Sequence, residues 1–178
     1  MAINIIQIVP GLPPAINGLG DYALNFAMVL RERFDINTSF LVARKYWRGP
    51  SALKGFQIRQ LRNESSADLV AVLNDRSGLR DGAARIAWLH FVGYGYAKRG
   101  CPSWLVDGLK LWRMCGSANR LMTFFHETYA FGPPWTSSFW LSLYQRWVTK
   151  KIAHVSDKVA TSRLGYASTL RTIKKKKK

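Results

Sequence analysis

Residues 3–34 read INIIQIVPGLPPAINGLGDYALNFAMVLRERF, and this stretch decides the fold. Its first run, at residues 5–9, is short and β-branched, which is typical of a strand buried on both faces. Large apolar side chains then recur at spacings of four and three, at Tyr22, Phe26, Val29 and Leu30. These side chains share one face of a helix. The stretch therefore predicts a strand, a loop and an amphipathic helix, the first βα unit of an α/β domain.

The loop of this unit carries Asn17, Gly18, Gly20 and Asp21 next to the predicted helix. Glycine has no Cβ, so the backbone there can turn sharply and approach a ligand. Free amides at the start of a helix also favour a phosphate or another anion. A tight turn without any ligand would require the same glycines. The loop alone leaves both interpretations open.

Composition restricts the class of protein. The chain has 178 residues, of which 48% are hydrophobic, enough for one folded domain with a substantial core. Its two cysteines, Cys101 and Cys115, form no CxxC pair, which favours a reducing compartment. The histidines, His90, His126 and His154, lack the spacing of zinc ligands. We expect neither a metal nor a cofactor.

The net charge of +17 is the strongest compositional signal. The terminal run of residues 174–178 contributes five of these charges and leaves +12 on the rest. Such an excess favours anionic partners: nucleic acid, a phospholipid surface or phosphorylated substrates. The sequence contains none of the usual nucleic-acid-binding motifs, which argues against nucleic acid. We expect a domain over residues 1–172 and a basic disordered tail over 173–178.

Membrane targeting signals are absent from this sequence. The start of the chain has no charged segment followed by a long apolar stretch, as a signal peptide would. No run approaches the roughly 20 apolar residues of a membrane-spanning helix. We therefore expect a cytoplasmic protein, which would meet a membrane only at the surface of its inner face.

Further strands and helices alternate along the chain. Strands are predicted at residues 38–43, 56–61, 86–92, 120–125 and 158–161. Helices are predicted from Ser65 or Ser66, from Pro102, from Thr136 or Ser137 through Val155, and over residues 164–170. This order predicts a Rossmann-like, doubly wound and mostly parallel sheet with helices on both faces.

Ligands of such sheets bind beyond the carboxyl ends of the strands. Three polar or glycine-rich loops are expected at that position, over residues 17–21, 93–99 and 126–135. Because parallel strands end on the same side of a sheet, these loops should converge on one rim. Their convergence predicts a single binding cleft.

With these loops, the sequence resembles the amino-terminal half of GT-B glycosyltransferases, in particular the retaining family four. Three segments carry the resemblance: PGLPPAINGLGDYALNFAMVL at residues 10–30, LHFVGYGYAKRGCPSWL at 89–105, and FFHETYAFGPPW at 124–135, with VSDKVATS at 155–162 behind it. The resemblance extends over roughly residues 3–170. In that family the amino-terminal domain mainly binds the acceptor, and the carboxyl-terminal domain binds the nucleotide-sugar donor.

The resemblance implies roles for individual residues. The loop with Asn17, Gly18, Gly20 and Asp21 would face the phosphates and the transferred sugar of the donor. His126 would point into the cleft near that sugar, as a catalytic residue with Glu127 beside it.

Tyr94 and Tyr96 would lie on the acceptor side, where aromatic rings stack on sugars or line an apolar groove. Packing roles are the alternative for both tyrosines. His126 could equally be a hydrogen-bonded histidine at a strand end, and Glu127 could cap its loop. His90 is expected in or near the core, and His154 suits a helix C-terminus.

Glycosyl transfer must also stabilise the departing diphosphate. In the resembled family, an arginine–lysine pair and a segment with paired glutamates in the carboxyl-terminal domain do this, and the sequence ends before that domain. Lys150 and Lys151 are distant from the glycine loop in sequence and do not replace the pair. We therefore expect an acceptor-side half that uses a nucleotide sugar and a glycan, lipid or small-molecule acceptor, and that is inactive alone.

Two other classes of function remain open. The chain could be a non-catalytic subunit that completes a split glycosyltransferase with a donor-binding partner. It could also be a peripheral membrane-binding module that uses Trp140, Trp147, Arg146, Lys150 and Lys151 on an anionic bilayer. If these tryptophans pack on the sheet instead, that reading loses its basis. Apolar surface left uncovered by a missing half would favour self-association.

Overall fold

The computed structural model describes residues 4–75, 85–129 and 133–175. Strands lie at Asn4–Val9 (β1), Asn37–Val42 (β2), Ala52–Leu53 (β3), Phe56–Gln60 (β4), Arg85–Phe91 (β5), Arg120–Phe125 (β6) and Lys158–Ala160 (β7). Helices lie at Gly18–Phe34 (α1), Ser66–Asn74 (α2), Gly93–Tyr96 (α3), Ser103–Met114 (α4), Ser137–Val155 (α5) and Leu164–Lys175 (α6).

The strands form one sheet in the order β3-β4-β2-β1-β5-β6-β7. All neighbouring strands pair in parallel except β3, which runs antiparallel to β4 at the edge. The chain starts at the centre, with β1, builds outward to one side and then returns to place β5 on the other side of β1. This reversal between β1 and β5 is the topological switch point where ligands of open α/β sheets bind.

Helices cover both faces of the sheet unequally. On one face, α1 packs over Val9, Phe40 and Val42. On the other face, α2, α4, α5 and α6 bury a larger core that includes Ile8 and Leu89. The predicted doubly wound, mostly parallel Rossmann-like fold is thus confirmed.

Helix α1 uses a different face from the predicted one. Tyr22 and Val29 are exposed, and the residues buried against the sheet are Gly20, Ala23, Leu24, Ala27 and Leu30. Small side chains let the helix axis approach the strands, and this close approach turns Tyr22 towards the side of the helix. Of the four residues predicted to share the apolar face, Leu30 is buried, whereas Tyr22 and Val29 are exposed.

Two short elements were not predicted from the sequence, β3 and α3. The N-terminal cap of α2 was predicted as either Ser65 or Ser66. The two-residue strand β3 and the single turn α3 are too short to produce a periodic pattern. Ser65 caps α2, and its hydroxyl accepts a hydrogen bond from the Asp68 amide at 3.2 Å. Ser65 is therefore the correct one of the two serines considered.

Helix α6 extends past residue 172, the end of the domain expected from the sequence. Helix α6 continues through Lys175, because Ile173 is buried and Lys174 Nζ donates to the Ser156 carbonyl at 2.5 Å. Residues 173–175 of the expected disordered tail are thus helical, and 176–178 lie outside the described residues. The same holds for 130–132 in the predicted loop 126–135. Among the helices described, none is long and apolar enough to cross a bilayer.

Candidate functional site

The three predicted loops share one rim of the sheet. They follow β1, β5 and β6, which are neighbours in the parallel part of the sheet. The His126 amide donates to the Phe91 carbonyl at 3.1 Å, so β6 extends its pairing with β5 by one residue beyond its last strand position. Adjacent strands therefore place the start of α1, the α3 turn and His126 together at their carboxyl ends.

The start of α1 is capped by Asn17. Its side-chain oxygen accepts from the Leu19 amide at 3.1 Å, and its carbonyl accepts from the Asp21 amide at 3.1 Å. Within the described part of the chain, the amides of Gly18 and Gly20 have no protein acceptor, as is usual in a first helical turn. Asp21 is exposed, and its carboxylate suits the positive end of the helix dipole.

Gly18 and Gly20 lie in the first turn of α1, and neither has a positive φ angle. The sharp turn expected from these two glycines is therefore wrong. A Cβ on Gly20 would lie 2.5 Å from the Gly11 carbonyl oxygen, so Gly20 lets the helix pack on the loop after β1. A Cβ on Gly18 would meet no atom within 4 Å. Only Gly18 faces open space that a ligand can occupy.

A first cleft of about 390 Å³ lies beside this helix start, between the ends of β1, β2 and β5. Trp47 forms part of its wall, and its indole Nε1 donates to the Leu12 carbonyl at 2.6 Å. The Arg44 guanidinium donates to the carbonyls of Gly95 at 2.8 Å and Tyr94 at 2.9 Å. Arg44 thereby fixes the α3 turn to the end of β2.

A chain of three polar side chains leads from the core to the rim on the α1 side of the sheet. Gln7 Oε1 lies 2.8 Å from His90 Nε2, and His90 Nδ1 lies 3.2 Å from His126 Nε2. Gln7 and His90 are completely buried, and His126 is half-buried. Each residue comes from the next strand across the sheet, β1, β5 and the end of β6.

Both imidazoles are neutral at pH 7. Burial lowers the pKa of His90 from 6.5 to about 3, with a further contribution from the neighbouring His126. Burial also lowers the pKa of His126 from 6.5 to about 4. Neutral imidazole has one donor nitrogen and one acceptor nitrogen, so the hydrogen bonds of one ring determine those of the next.

The orientation of Gln7 determines the tautomers of both histidines. Since the Gln7 side-chain oxygen only accepts, His90 Nε2 carries the proton and His90 Nδ1 accepts. His126 Nε2 must then donate to His90 Nδ1, which leaves a lone pair on His126 Nδ1. In this orientation the amide nitrogen of Gln7 is buried without a hydrogen-bond partner. The chain thus presents a hydrogen-bond acceptor at the rim.

Aromatic rings hold the His126 imidazole in place. The ring centroid of Tyr22 lies 5.0 Å away in an edge-to-face arrangement, and that of Phe124 lies 4.6 Å away. These contacts place the His126 side chain beneath the start of α1. They also supply the burial that keeps this imidazole neutral.

A second cleft of about 300 Å³ opens on the other side of the rim. Tyr94, Glu127 and Gln145 are among its lining residues. Gln145 Nε2 donates to the Tyr94 hydroxyl at 3.0 Å and fixes this half-exposed ring. Glu127 is exposed at this cleft, whereas the His126 ring lies on the α1 side. The rim therefore separates the two residues that were predicted to act together.

Tyr96 does not have the position expected of an acceptor-binding residue. It is buried, and its hydroxyl lies 3.0 Å from the Ile8 carbonyl and 2.8 Å from the His90 carbonyl. Burial also raises the pKa of Tyr96. Within the single turn α3, Tyr94 is exposed and Tyr96 points into the core, so Tyr96 is not accessible at the rim.

Sequence reasoning overlooked Gln7, Arg44, Trp47 and Gln145 as parts of the site, and gave His90 a core role only. His90 is indeed buried, but it also connects Gln7 to His126. A polar residue inside an apolar run was the available signal: Gln7 interrupts IIQIV, and His90 interrupts IAWLHFV. In the described residues, no three His, Cys, Asp or Glu side chains are grouped as metal ligands would be.

Comparisons with known proteins bear on the fold. No protein-family model matches the chain, and no curated protein matches it. Among solved structures, the chain is similar to a nucleoside-diphosphate-sugar epimerase from Staphylococcus aureus, with a TM-score of 0.54 and 13% sequence identity. The fold is Rossmann-like. The similarity covers 89% of this chain and 50% of that structure, so this Rossmann-like chain spans about half the length of the epimerase.

Proposed function

We propose that this Rossmann-like domain is the acceptor-side half of a retaining glycosyltransferase that uses a nucleotide-sugar donor. One observation carries the proposal: the Gly18 amide at the start of α1, His126 Nδ1 and the second cleft, which Tyr94 lines, lie along one rim of the sheet. An anion, a sugar hydroxyl and an acceptor that stacks on an aromatic ring can each be bound along this rim. The resemblance of the three loop segments to glycosyltransferases of family four supports the same assignment.

The start of α1 suits the donor phosphates. The Gly18 amide lies at the positive end of the helix dipole without a protein acceptor among the described residues, and Gly18 leaves room for close approach. The similar solved structure is named as an enzyme of nucleoside-diphosphate sugars, which is consistent with a phosphate-bearing sugar at this position. Asp21 is in the same turn and would have to face away from the anion.

His126 and Tyr94 suit the transferred sugar and the acceptor. The lone pair on His126 Nδ1 can accept a hydrogen bond from a sugar hydroxyl without any change of charge, because the imidazole stays neutral. The exposed part of the Tyr94 ring offers a flat surface on which a sugar can stack. Glu127, at the same cleft, can accept a hydrogen bond from an acceptor hydroxyl.

Stabilisation of the leaving diphosphate requires groups beyond this rim. Arg44 is the basic side chain beside the first cleft, and both of its donor contacts go to backbone carbonyls. A departing diphosphate needs several such donors in the transition state. We therefore propose that turnover requires a donor-binding domain, in the same protein or in a partner chain.

A dinucleotide-binding oxidoreductase is the alternative use of a Rossmann-like fold. Its glycine fingerprint forms the turn directly after the first strand. Here β1 ends at Val9, and Gly18 and Gly20 lie within α1, so they do not form that turn. The position of the glycines therefore favours sugar transfer over dinucleotide binding.

Ligand-observed NMR on the purified chain tests the proposal. UDP, GDP, their glucose and mannose conjugates, simple glycosides and NAD would be compared on wild type, Gly18→Ala and His126→Gln. We expect nucleotide-sugar signals that weaken in both variants and persist in His154→Gln, a control at the far end of α5. Binding of NAD alone, or of none of these ligands, would contradict the proposal. Multiple turnover by the chain alone would refute its dependence on a second domain.

A further inference from the structure

Helix α5 buries three polar side chains together with Val148 and Ile152, and it exposes four of its large apolar side chains. Ser142, Gln145 and Thr149 are buried against the domain. Each of them is hydrogen-bonded: Ser142 to the Phe139 carbonyl, Gln145 to the Tyr94 hydroxyl and the Arg99 carbonyl, and Thr149 to the Thr128 carbonyl. The three buried polar side chains of α5 therefore all have hydrogen-bond partners.

The outward face carries four large apolar side chains: Trp140, Leu143, Tyr144 and Trp147, which are 66%, 53%, 44% and 40% exposed. Their spacing of three, four and seven residues places them in one row along the helix. We call this row the aromatic stripe. The alternative that Trp140 and Trp147 pack on the sheet is therefore wrong.

Two positively charged side chains, Lys150 and Lys151, lie next to the aromatic stripe. Lys150 and Lys151 follow one turn after Trp147 on the same side of the helix, and both are exposed. Lys151 Nζ lies 5.6 Å from the Trp147 ring centroid. The sequence of α5 contains no Asp or Glu at all, and the chain carries a net charge of +17.

We propose that the aromatic stripe and its two lysines dock this domain on the surface of an anionic lipid bilayer. Tryptophan and tyrosine favour the headgroup region, where the ring is buried and its polar atom stays wet. Lysine side chains reach from that depth to anionic headgroups. A second copy of the chain fits less well, because two chains that each carry a net charge of +17 repel each other.

Docking through α5 would also determine how the domain is oriented on the lipid bilayer. Because α5 follows a parallel strand, its first turns lie at the carboxyl rim of the sheet, and Trp140 is in the first of them. The α5 axis would then lie along the lipid surface, and the rim would lie beside that surface, at the end of α5 that carries Trp140. This inference does not depend on the proposed function, since it uses only the outward face of α5.

Vesicle flotation tests the inference. The full chain would be mixed with vesicles of phosphatidylcholine alone or of phosphatidylcholine with phosphatidylglycerol. We expect flotation only with phosphatidylglycerol, and a loss of binding at high salt because charge attraction is screened. The partition coefficient should fall about thirtyfold for Lys150→Gln/Lys151→Gln. For Trp140→Ala/Trp147→Ala it should fall at least about tenfold.

Phe34→Ala is the matched control, because Phe34 is 63% exposed at the end of α1. It should leave the partition coefficient unchanged, and circular dichroism should show all variants folded. Equal loss in Phe34→Ala, or no flotation with phosphatidylglycerol, would overturn the inference. So would a dimer in sedimentation velocity that Trp140→Ala/Trp147→Ala dissociates, since the stripe would then bind a second copy.

Discussion

His90 Nδ1 lies 3.2 Å from His126 Nε2, and this contact joins the interior of the sheet to its functional rim. The two residues come from β5 and from the end of β6, so neighbouring parallel strands bring them together. His90 is anchored in turn by Gln7 on β1. The tautomer of His126 at the rim is therefore determined by Gln7, which is buried two strands away.

The first prediction concerns these tautomers. Long-range ¹H–¹⁵N spectra at pH 7 should show both His90 and His126 protonated at Nε2 and bare at Nδ1. His154 is an internal reference, because its Nε2 lies 3.1 Å from the Ile173 carbonyl and must carry a proton. A Gln7 side chain with the opposite orientation would reverse both tautomers, and protonated Nδ1 atoms would contradict the assignment. Gln7→Met removes the acceptor and should yield mixed tautomers at His90.

The second prediction concerns acid stability. The pKa of His90 and the pKa of His126 are lowered on folding from 6.5 to about 3 and about 4, so below pH 6.5 the unfolded chain binds more protons than the folded chain. The free energy of unfolding should fall as the pH drops from 6.5 towards 4, by up to about 1.4 kcal/mol per pH unit for each histidine.

Denaturant titrations at several pH values would measure this slope. Other groups also titrate in this window, so wild type should be compared with His126→Gln, which removes one half-buried imidazole. The slope should be shallower in this variant than in wild type. A slope identical in wild type and His126→Gln would show that folding does not lower the pKa of His126.

The third prediction separates the two glycines of α1. Gly20→Ala should destabilise the domain by about 1–3 kcal/mol, because its Cβ would lie 2.5 Å from the Gly11 carbonyl oxygen. Gly18→Ala should leave stability unchanged or raise it by about 0.5 kcal/mol, since its Cβ meets open space. Thermal unfolding of both variants checks this. A larger loss in Gly18→Ala than in Gly20→Ala would contradict it.

The fourth prediction concerns Arg44. Arg44→Ala removes the donors to the carbonyls of Gly95 and Tyr94, so the α3 turn loses its connection to β2. Amide exchange over residues 93–97 should accelerate about tenfold, which corresponds to loss of about one hydrogen bond's net free energy. Arg48→Ala is the control, because among the described residues Arg48 donates to carbonyls of its own loop. Equal protection in both variants would exclude a bracing role for Arg44.

The order of strands and helices could be predicted from local pattern because each regular element is long enough to show its period. The strand at residues 120–125 was predicted with its observed bounds, and the cap of α2 was one of two serines considered. The short elements β3 and α3 have no period to detect. Tyr96 was misjudged for a related reason: a single turn gives no sign of which of two tyrosines points inward.

Side-chain partners across strands could not be predicted, because one sequence does not specify strand order. Gln7, His90 and His126 are separated by 83 and 36 residues and become neighbours only after β5 pairs with both β1 and β6. Helix α5 illustrates the same limit. Its tryptophans suggested a buried face by composition, but hydrogen-bond partners on α3 and on the loop after β6 draw Gln145 and Thr149 inward instead.

The sequence by itself determined the fold class and the place of the rim, because hydrophobic period and loop composition are local properties and parallel strands must end on one side. Tertiary structure alone decided which side chains meet there. It paired His90 with His126, sent Tyr96 into the core, gave Gly18 and Gly20 different surroundings and turned the aromatic stripe outward. Those outcomes depend on strand order and on the distance between helix and sheet, which long-range packing sets.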